Sequence, residues 1–187
     1  MQLIVLSDTH GVTKKFLRIV ETYKDTAEAF LFTGDGMSDA QAAMEAFPEA
    51  KIYTVKGNND FMEEAPLQRR VEFRVSEEDG TEHPIVVFME HGDALPFGDR
   101  EEAMLSLTRR QKAQIGLFGH THVPYGKMEH GVLILNPGST SYPRNGSAGS
   151  YAEITIDNDG SIHWQHHLVD DLFSDEEKQS SKKRWWR

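Results

Sequence analysis

Five short apolar runs in this chain each end two or three residues before a side chain able to ligate a metal. Residues 3–6 lead into Asp8 and His10, residues 29–32 into Gly34-Asp35, and residues 52–55 into Gly57-Asn58. Residues 85–89 lead into His91, and residues 115–118 into Gly119-His120-Thr121-His122. In open α/β sheets, ligands bind in the crevice beyond the carboxyl ends of the strands. One sheet edge would therefore collect two Asp, four His and one Asn. Hard carboxylate oxygens beside imidazole nitrogens, with no thiolate, suit a pair of divalent metal ions. The chain reads as a metal-dependent enzyme.

At 187 residues, one domain with a sizeable core is expected. No apolar run approaches the roughly 18 residues of a transmembrane helix. Residues 1–6 lack a basic segment and are followed at once by Asp8 and His10, so they read as a buried strand and not a signal peptide. With no cysteine, disulfides and thiolate ligands drop out, and a reducing cytoplasm fits. The formal charge of −10 argues against a large footprint on duplex nucleic acid. A metal cluster can still draw a small anionic substrate locally.

The first third alternates strand and helix. Strands are expected at 2–6, 29–33 and 51–55. A helix is expected at about 12–23, with Phe16, Leu17, Ile19, Val20 and Tyr23 on one face. A second is expected near 38–46, capped by Ser38 or Asp39, with Pro48 beyond its end. This βαβαβ order implies parallel pairing. The middle reads as an antiparallel hairpin of 71–75 and 84–89, then a helix at 99–111 with Ala103, Met104, Leu105 and Leu107 inward. Strands recur at 115–118, 124–128 and 132–136. A last hairpin joins 151–156 to 161–167 through Asp157-Asn158-Asp159-Gly160. Two mixed sheets packed face to face, with helices outside, accommodate that order. His83, His130, His163, His166 and His167 follow turns or lie on the late hairpin, where solvent exposure is expected.

Each motif carries its own chemistry. Asp8-Thr9-His10 places two ligands two apart, and in extended backbone both would face one ion. Asp35, just past a strand, can bridge two cations about 3.5–4 Å apart. The amide oxygen of Asn58 is a hard ligand. His120 and His122 set two imidazoles side by side for two different ions. Asn136-Pro137-Gly138-Ser139 is a tight turn whose small residues would let substrate approach the backbone.

In this order Asp8-Thr9-His10, Gly34-Asp35, Gly57-Asn58-Asn59-Asp60, His91-Gly92 and Gly119-His120-Thr121-His122 resemble the signature of calcineurin-like metallophosphoesterases. Ser7-Asp8-Thr9-His10-Gly11, Leu135-Asn136-Pro137-Gly138-Ser139 and Pro143-Arg144 resemble its small YfcE-like phosphodiesterase branch. The resemblance spans about residues 2–167. It implies an α/β two-sheet mixed β-sandwich flanked by helices. It also implies a dinuclear site in which one ion takes Asp8, His10, Asp35 and His122, and the other takes Asp35, Asn58, His91 and His120. Every one of these positions holds a competent ligand type. The family's usual third-block His is replaced by Asn59, a second His after His91-Gly92 by Asp93, and its second Asp by Ser38, with Asp39 one further on.

The function expected is a cytoplasmic, metal-dependent hydrolase of phosphoric esters. A phosphodiesterase is expected first, with attack in line by a hydroxide that two cations generate from water. Asp35, Asn58 and His120 are the expected catalytic residues. Asn58, Asn59 and Arg144 are the expected substrate contacts, Arg144 as an oxyanion clamp. Two divalent transition-metal ions are implied, manganese first, with iron, zinc, cobalt or nickel permitted by the O/N ligands. The partner is a small phosphorylated substrate; neither a membrane nor duplex nucleic acid is expected, and a homo-oligomer stays open. Phosphomonoesterase activity and a non-catalytic interaction module on the same fold are the alternatives. The domain is expected at 1–169. Residues 170–187, acidic and then basic with Trp185 and Trp186, read as a mobile charged tail or a docking segment.

Overall fold

The computed structural model describes residues 1–61, 64–175 and 177. The chain opens as β1 (Gln2–Leu6), α1 (Thr13–Tyr23), β2 (Ala29–Phe32), α2 (Met37–Ala46) and β3 (Ile52–Thr54). It continues as β4 (Gln68–Ser76), β5 (Glu82–Glu90), α3 (Arg100–Arg110), β6 (Ile115–Leu117), β7 (Pro124–Glu129) and β8 (Val132–Pro137), and closes with β9 (Ser150–Ile156) and β10 (Ile162–Leu168). Two five-stranded sheets result, ordered β10-β9-β1-β2-β3 and β4-β5-β6-β8-β7. β1, β2 and β3 are parallel neighbours in the first sheet, and β5, β6 and β8 in the second. Antiparallel strands complete one edge of the first sheet and both edges of the second.

β1 and β2 read as unbroken apolar runs because both of their faces are covered. Leu3, Val5 and Leu31 face the core between the sheets, where they meet Val87, Met89, Ile115, Leu117, Leu133 and Leu135. Ile4, Leu6, Phe30 and Phe32 point the other way, against Phe16, Ile19 and Val20 of α1 and Ala40 and Ala43 of α2. On the far side Val86, Phe88 and Ile134 pack against Met104 and Leu105 of α3. β4 lies at an edge, so only Val71, Phe73 and Val75 turn inward and its pattern alternates. The order of layers is helix, sheet, sheet, helix. Three adjacent parallel strands in each sheet send their carboxyl ends to the same rim.

Three local expectations need correction. α2 begins at Met37 with Gly36 as its cap residue, so Ser38 and Asp39 lie inside its first turn and neither caps it. The buried face of α3 is Met104, Leu105 and Thr108, while Ala103 and Leu107 are only partly covered. His166 and His167 are half-buried, not exposed: His166 bonds the Asn136 carbonyl, and His167 pairs with Glu153 and stacks on Tyr151.

The tail boundary also moves. A 3-10 turn over Val169–Leu172 buries Val169, and Leu172 and Phe173 pack against the helical side of the first sheet. The Phe173 ring lies under Lys14 and Arg18 at 5.0 and 5.2 Å, and Arg18 pairs with Glu177. Packed structure therefore continues past the expected boundary at 169, through Leu172 and Phe173. Trp185 and Trp186 lie outside the described residues. Among the described residues no helix is long and apolar enough to cross a membrane.

Replacing Leu172 and Phe173 together by Ala removes two partly buried apolar side chains. It should cost about 2 kcal/mol by area, read as a lower urea midpoint with metal content unchanged. An unmoved midpoint would show that this segment contributes nothing to stability.

Candidate metal centre

The strand ends turn into the rim through left-handed backbone. Asp8, His10, Asp35, His120 and His122 have φ of 52°, 48°, 60°, 64° and 61°. That region is unfavourable for side chains with a Cβ, with Asp, Asn and His its commonest non-glycine occupants. Asp8 and His10 thus do not face one point by strand alternation, as extended backbone would have it. Tight turns aim them, pinned where the Asp8 and His10 amides bond the carbonyls of Gly34 and Asp35, both at 3.0 Å. The second sheet is tied in by the His120 amide on Asp8 Oδ2, 3.0 Å.

The seven ligand candidates come together in two groups. In the first, His122 Nε2 lies 3.1 Å from Asp8 Oδ1 and 3.2 Å from His10 Nε2. In the second, Asn58 Oδ1 lies 3.1 Å from His91 Nε2 and 3.0 Å from His120 Nδ1. Asp35 Oδ2 stands between them, 3.8 Å from His10 Nε2 and 3.4 Å from His91 Nε2. Donor atoms of Asp8, His10 and His122 fall within 4.8 Å of one another, and so do those of Asp8, Asp35 and His91. Asp8 thus reaches toward both groups, where the resemblance assigns it to one ion.

These atoms fit cations and fit little else. Tyr142 O accepts from His122 Nδ1 at 2.6 Å, and Thr33 O from His91 Nδ1 at 2.7 Å. Those carbonyls hold a proton on each Nδ1, so in the neutral ring Nε2 presents the lone pair. The Nε2 atoms of His10 and His122 then face each other across 3.2 Å, beside an Asp8 Oδ1 that is buried with no hydrogen-bond donor among the described residues. A buried, unpaired carboxylate oxygen among acceptors is costly. A divalent ion would relieve that cost.

The electrostatics agree. Burial would raise the Asp35 carboxyl, but the bond and charge of His91 and two donors from Asn59 outweigh it and hold it well below the usual range. Burial would lower His91, yet its bond to Asp35 and the charges of Asp8 and Asp35 push it up to about 9. In metal-free protein the proton on His91 stands in for a cation. His120 is lowered by burial, then by the nearby His91 and Arg100, which keeps its ring neutral and able to ligate.

Around these side chains stands a support that sequence spacing does not reveal. The buried Asp60 carboxylate accepts four backbone N–H groups, from Asp35 and Gly57 on Oδ2 at 2.8 Å each, and from Gly36 and Met37 on Oδ1 at 2.8 and 2.9 Å. It caps α2 from another loop and clamps the Asp35 turn. Asp39 accepts from the Thr9 and Thr13 hydroxyls and the Gly11 amide, so α2 holds the first ligand loop. Asn136 donates to Gly119 O and Thr121 Oγ1, and Ser139 to Asp8 O. Residues 136–140 are wholly buried, so substrate does not reach that turn; it props the His120 loop instead. Gly57 and Gly119 admit no Cβ, which would strike Asp35 Oδ1 at one and Ser7 Oγ at the other.

Two expected substrate contacts sit differently. Asn59 gives its backbone N–H and its Nδ2 to the two oxygens of Asp35, at 2.8 and 2.6 Å, so its amide is engaged with a ligand. Arg144 is exposed, and its N–H bonds His122 O at 3.2 Å. Asp93 is exposed at the rim.

Asp60→Asn swaps an acceptor for a donor among four buried N–H groups. It should cost on the order of 3 kcal/mol and lower metal occupancy, although Asp60 touches no metal; unchanged content by elemental analysis would refute the clamp. A second expectation follows from His91. Its folded pKa lies above the ordinary 6.5, so its proton stabilises the metal-free fold fully below pH 6.5, and that contribution is lost as pH rises through about 9. The Tm of chelator-treated protein should fall across that window, and that of metal-loaded protein should fall less. Parallel curves would show that His91 is not where metal and proton compete.

The calcineurin-like phosphoesterase superfamily domain matches residues 1–159. YsnB of Bacillus subtilis, a probable metallophosphoesterase, is 25% identical over 162 residues, covering 85% of this chain and 86% of its own. Phosphodiesterase YfcE of Escherichia coli is 25% identical over 182 residues, with coverage of 85% and 89%. A crystal structure of a conserved uncharacterized protein from Streptococcus pneumoniae, described as a predicted phosphoesterase, superposes with a TM-score of 0.73 at 28% identity and covers 90% of each chain. With five ligand-bearing strand ends on the same two-sheet sandwich, this chain belongs to the calcineurin-like phosphoesterase superfamily.

Proposed function

We propose that this chain is a dinuclear phosphodiesterase acting on a small phosphate ester in the cytoplasm. The observation that carries it is the Asp35 carboxylate set between two groups of lone-pair donors, one of which holds the orphaned Asp8 oxygen. Asp8, His10, Asp35 and His122 would hold one divalent ion, and Asp35, Asn58, His91 and His120 the other. Manganese is our first choice among ions that O/N ligands accept. When bound, such a pair makes hydroxide available near neutral pH and neutralises phosphoryl charge.

The chain's own residues supply the rest. Thr33 and Tyr142 carbonyls orient two imidazoles through their Nδ1 protons. Asn58, exposed at the rim, turns its oxygen toward the imidazoles, which leaves its NH₂ for a phosphoryl oxygen. Arg144, fastened to His122, brings a guanidinium that can take two phosphoryl oxygens at once. Asn59 cannot act as an acid at neutral pH. A diester with a good leaving group suits this set better than an alkyl monoester, whose second charge would meet no imidazolium at 59.

Protein purified without chelator should carry close to two transition-metal ions per chain, and Asp35→Ala should lose the most metal because both groups share that carboxylate. Near-zero content after metal is added back would sink the dinuclear site. Across substituted phenyl diesters, the rate should depend steeply on leaving-group pKa. Asn59→His should flatten that slope, since a general acid contributes about 10²–10⁴-fold to poor leaving groups. A shallow slope in the unaltered protein, or a preference for alkyl monoesters, would withdraw the diesterase assignment.

A further inference from the structure

We infer that the groove beside His120 is the subsite for one ester arm of the substrate, and that it selects arms carrying an aromatic ring and a second negative charge. The inference rests on the phosphodiesterase function proposed above and names its substrate class.

The groove has a volume of about 530 Å³ and is lined by Phe97, Arg100, His120, Tyr125 and Arg144, among others. That size falls within the ~300–1,000 Å³ of small-molecule sites. One of its walls is a candidate metal ligand. An ester with its phosphorus at the metal centre therefore has this groove as a path for one arm.

Its lining runs against the chain's net charge. The chain carries a net charge of −10, yet the lining sets two guanidinium groups against a single carboxylate, Glu101. Both arginines are fastened to ligand loops: Arg144 through its N–H to His122 O at 3.2 Å, and Arg100 through Nε to Gly92 O at 3.4 Å, next to His91. The Arg100 guanidinium and the Arg144 backbone thus stand at fixed places relative to the metal centre. Planar guanidinium groups suit carboxylate or phosphate, which they can bind through two parallel bonds.

Phe97 is 91% exposed, the most exposed large apolar side chain among the described residues. It is presented by the turn at Gly98, φ 95°, and its ring lies 5.4 Å from the Arg100 guanidinium. An aromatic ring left in water forgoes a large burial, and a planar arm laid against Phe97 would recover it. Tyr125 forms part of the same lining, its ring set against the buried Phe118 at 6.4 Å between centroids. A flat ring beside an anion, as in a nucleotide or a carboxylated aryl group, matches aromatic walls beside paired guanidinium groups.

The test uses three diesters that share p-nitrophenolate as leaving group and differ in the second arm: methyl, phenyl or 4-carboxyphenyl. Hydrolysis breaks the bond from phosphorus to the nitrophenyl oxygen, joins an oxygen from water to phosphorus, and leaves a monoester of the second arm. For metal-loaded protein, kcat/KM corrected for the uncatalysed rate should rise from methyl to phenyl to carboxyphenyl by tenfold or more, mainly through KM. Phe97→Ala should collapse the preference for phenyl over methyl, and Arg100→Gln that for carboxyphenyl over phenyl. Turnover of all three without discrimination, or preferences that neither substitution moves, would overturn the subsite alone. Failure to hydrolyse any of the three would overturn the diesterase function and the subsite with it.

Discussion

Four buried carboxylates at one rim set the terms for everything else in this molecule. Asp8, Asp35, Asp39 and Asp60 gather where β1, β2 and β3 end. Buried like charges repel strongly unless each is matched. Asp39 and Asp60 are matched by three and four donors respectively, and they act as fixed anchors. Asp35 takes one donor on each oxygen, both from the neighbouring Asn59, and Asp8 is matched on one oxygen only. Ser7 and the His120 amide serve Asp8 Oδ2, and nothing among the described residues donates to Oδ1. The protein thus saturates two carboxylates so as to aim the other two, and the unmatched charge is confined to the place where imidazole lone pairs also point.

Left-handed turns at the ligands are the conformational cost of that aim. Five of the seven candidates adopt them. Such strain persists only where the surroundings over-determine it, and here the surroundings are specific. The Asp8 and His10 turns are bonded to the β2 loop, the β2 loop is clamped by Asp60, and the His120 loop is propped by Asn136. Each support comes from a different strand end, so no ligand loop is held by its own segment alone.

Most of the fold was legible in the sequence. Apolar runs at period two or without polar breaks mark most of the strands, because covered faces must be apolar whatever the register; β7, an edge strand that buries no residue, has neither. The seven candidate ligands were legible for a related reason: side chains able to bind metal at strand ends interrupt apolar runs where no core needs them. The supports were not. Asp60 sits in an Asn-Asn-Asp string that looks like an ordinary turn, and its four partners lie in three-dimensional reach of β2 and α2. Asp39 looks like a helix cap and instead bonds a loop 26 to 30 residues earlier. The turn at 136–140 has small residues because it is packed. The stretch at 170–173 was misjudged because two apolar side chains among acidic ones carry no period, and only their contact with α1 orders them.

Metal binding and folding are therefore one problem in this chain. Five left-handed residues at roughly 1 kcal/mol each amount to a large share of the ~5–15 kcal/mol by which domains are stable. An ion that binds only the folded state returns a comparable amount, about 4 kcal/mol at a thousandfold excess over Kd. The route of that coupling is visible at Asp60. It joins the N-terminus of α2 to the backbone of Asp35 and Gly57, so any force that settles Asp35 also settles a helix packed on β1 and β2. The ligand loops and the helical layer are thereby mechanically continuous, and the site cannot loosen without loosening the face of the sheet that builds it.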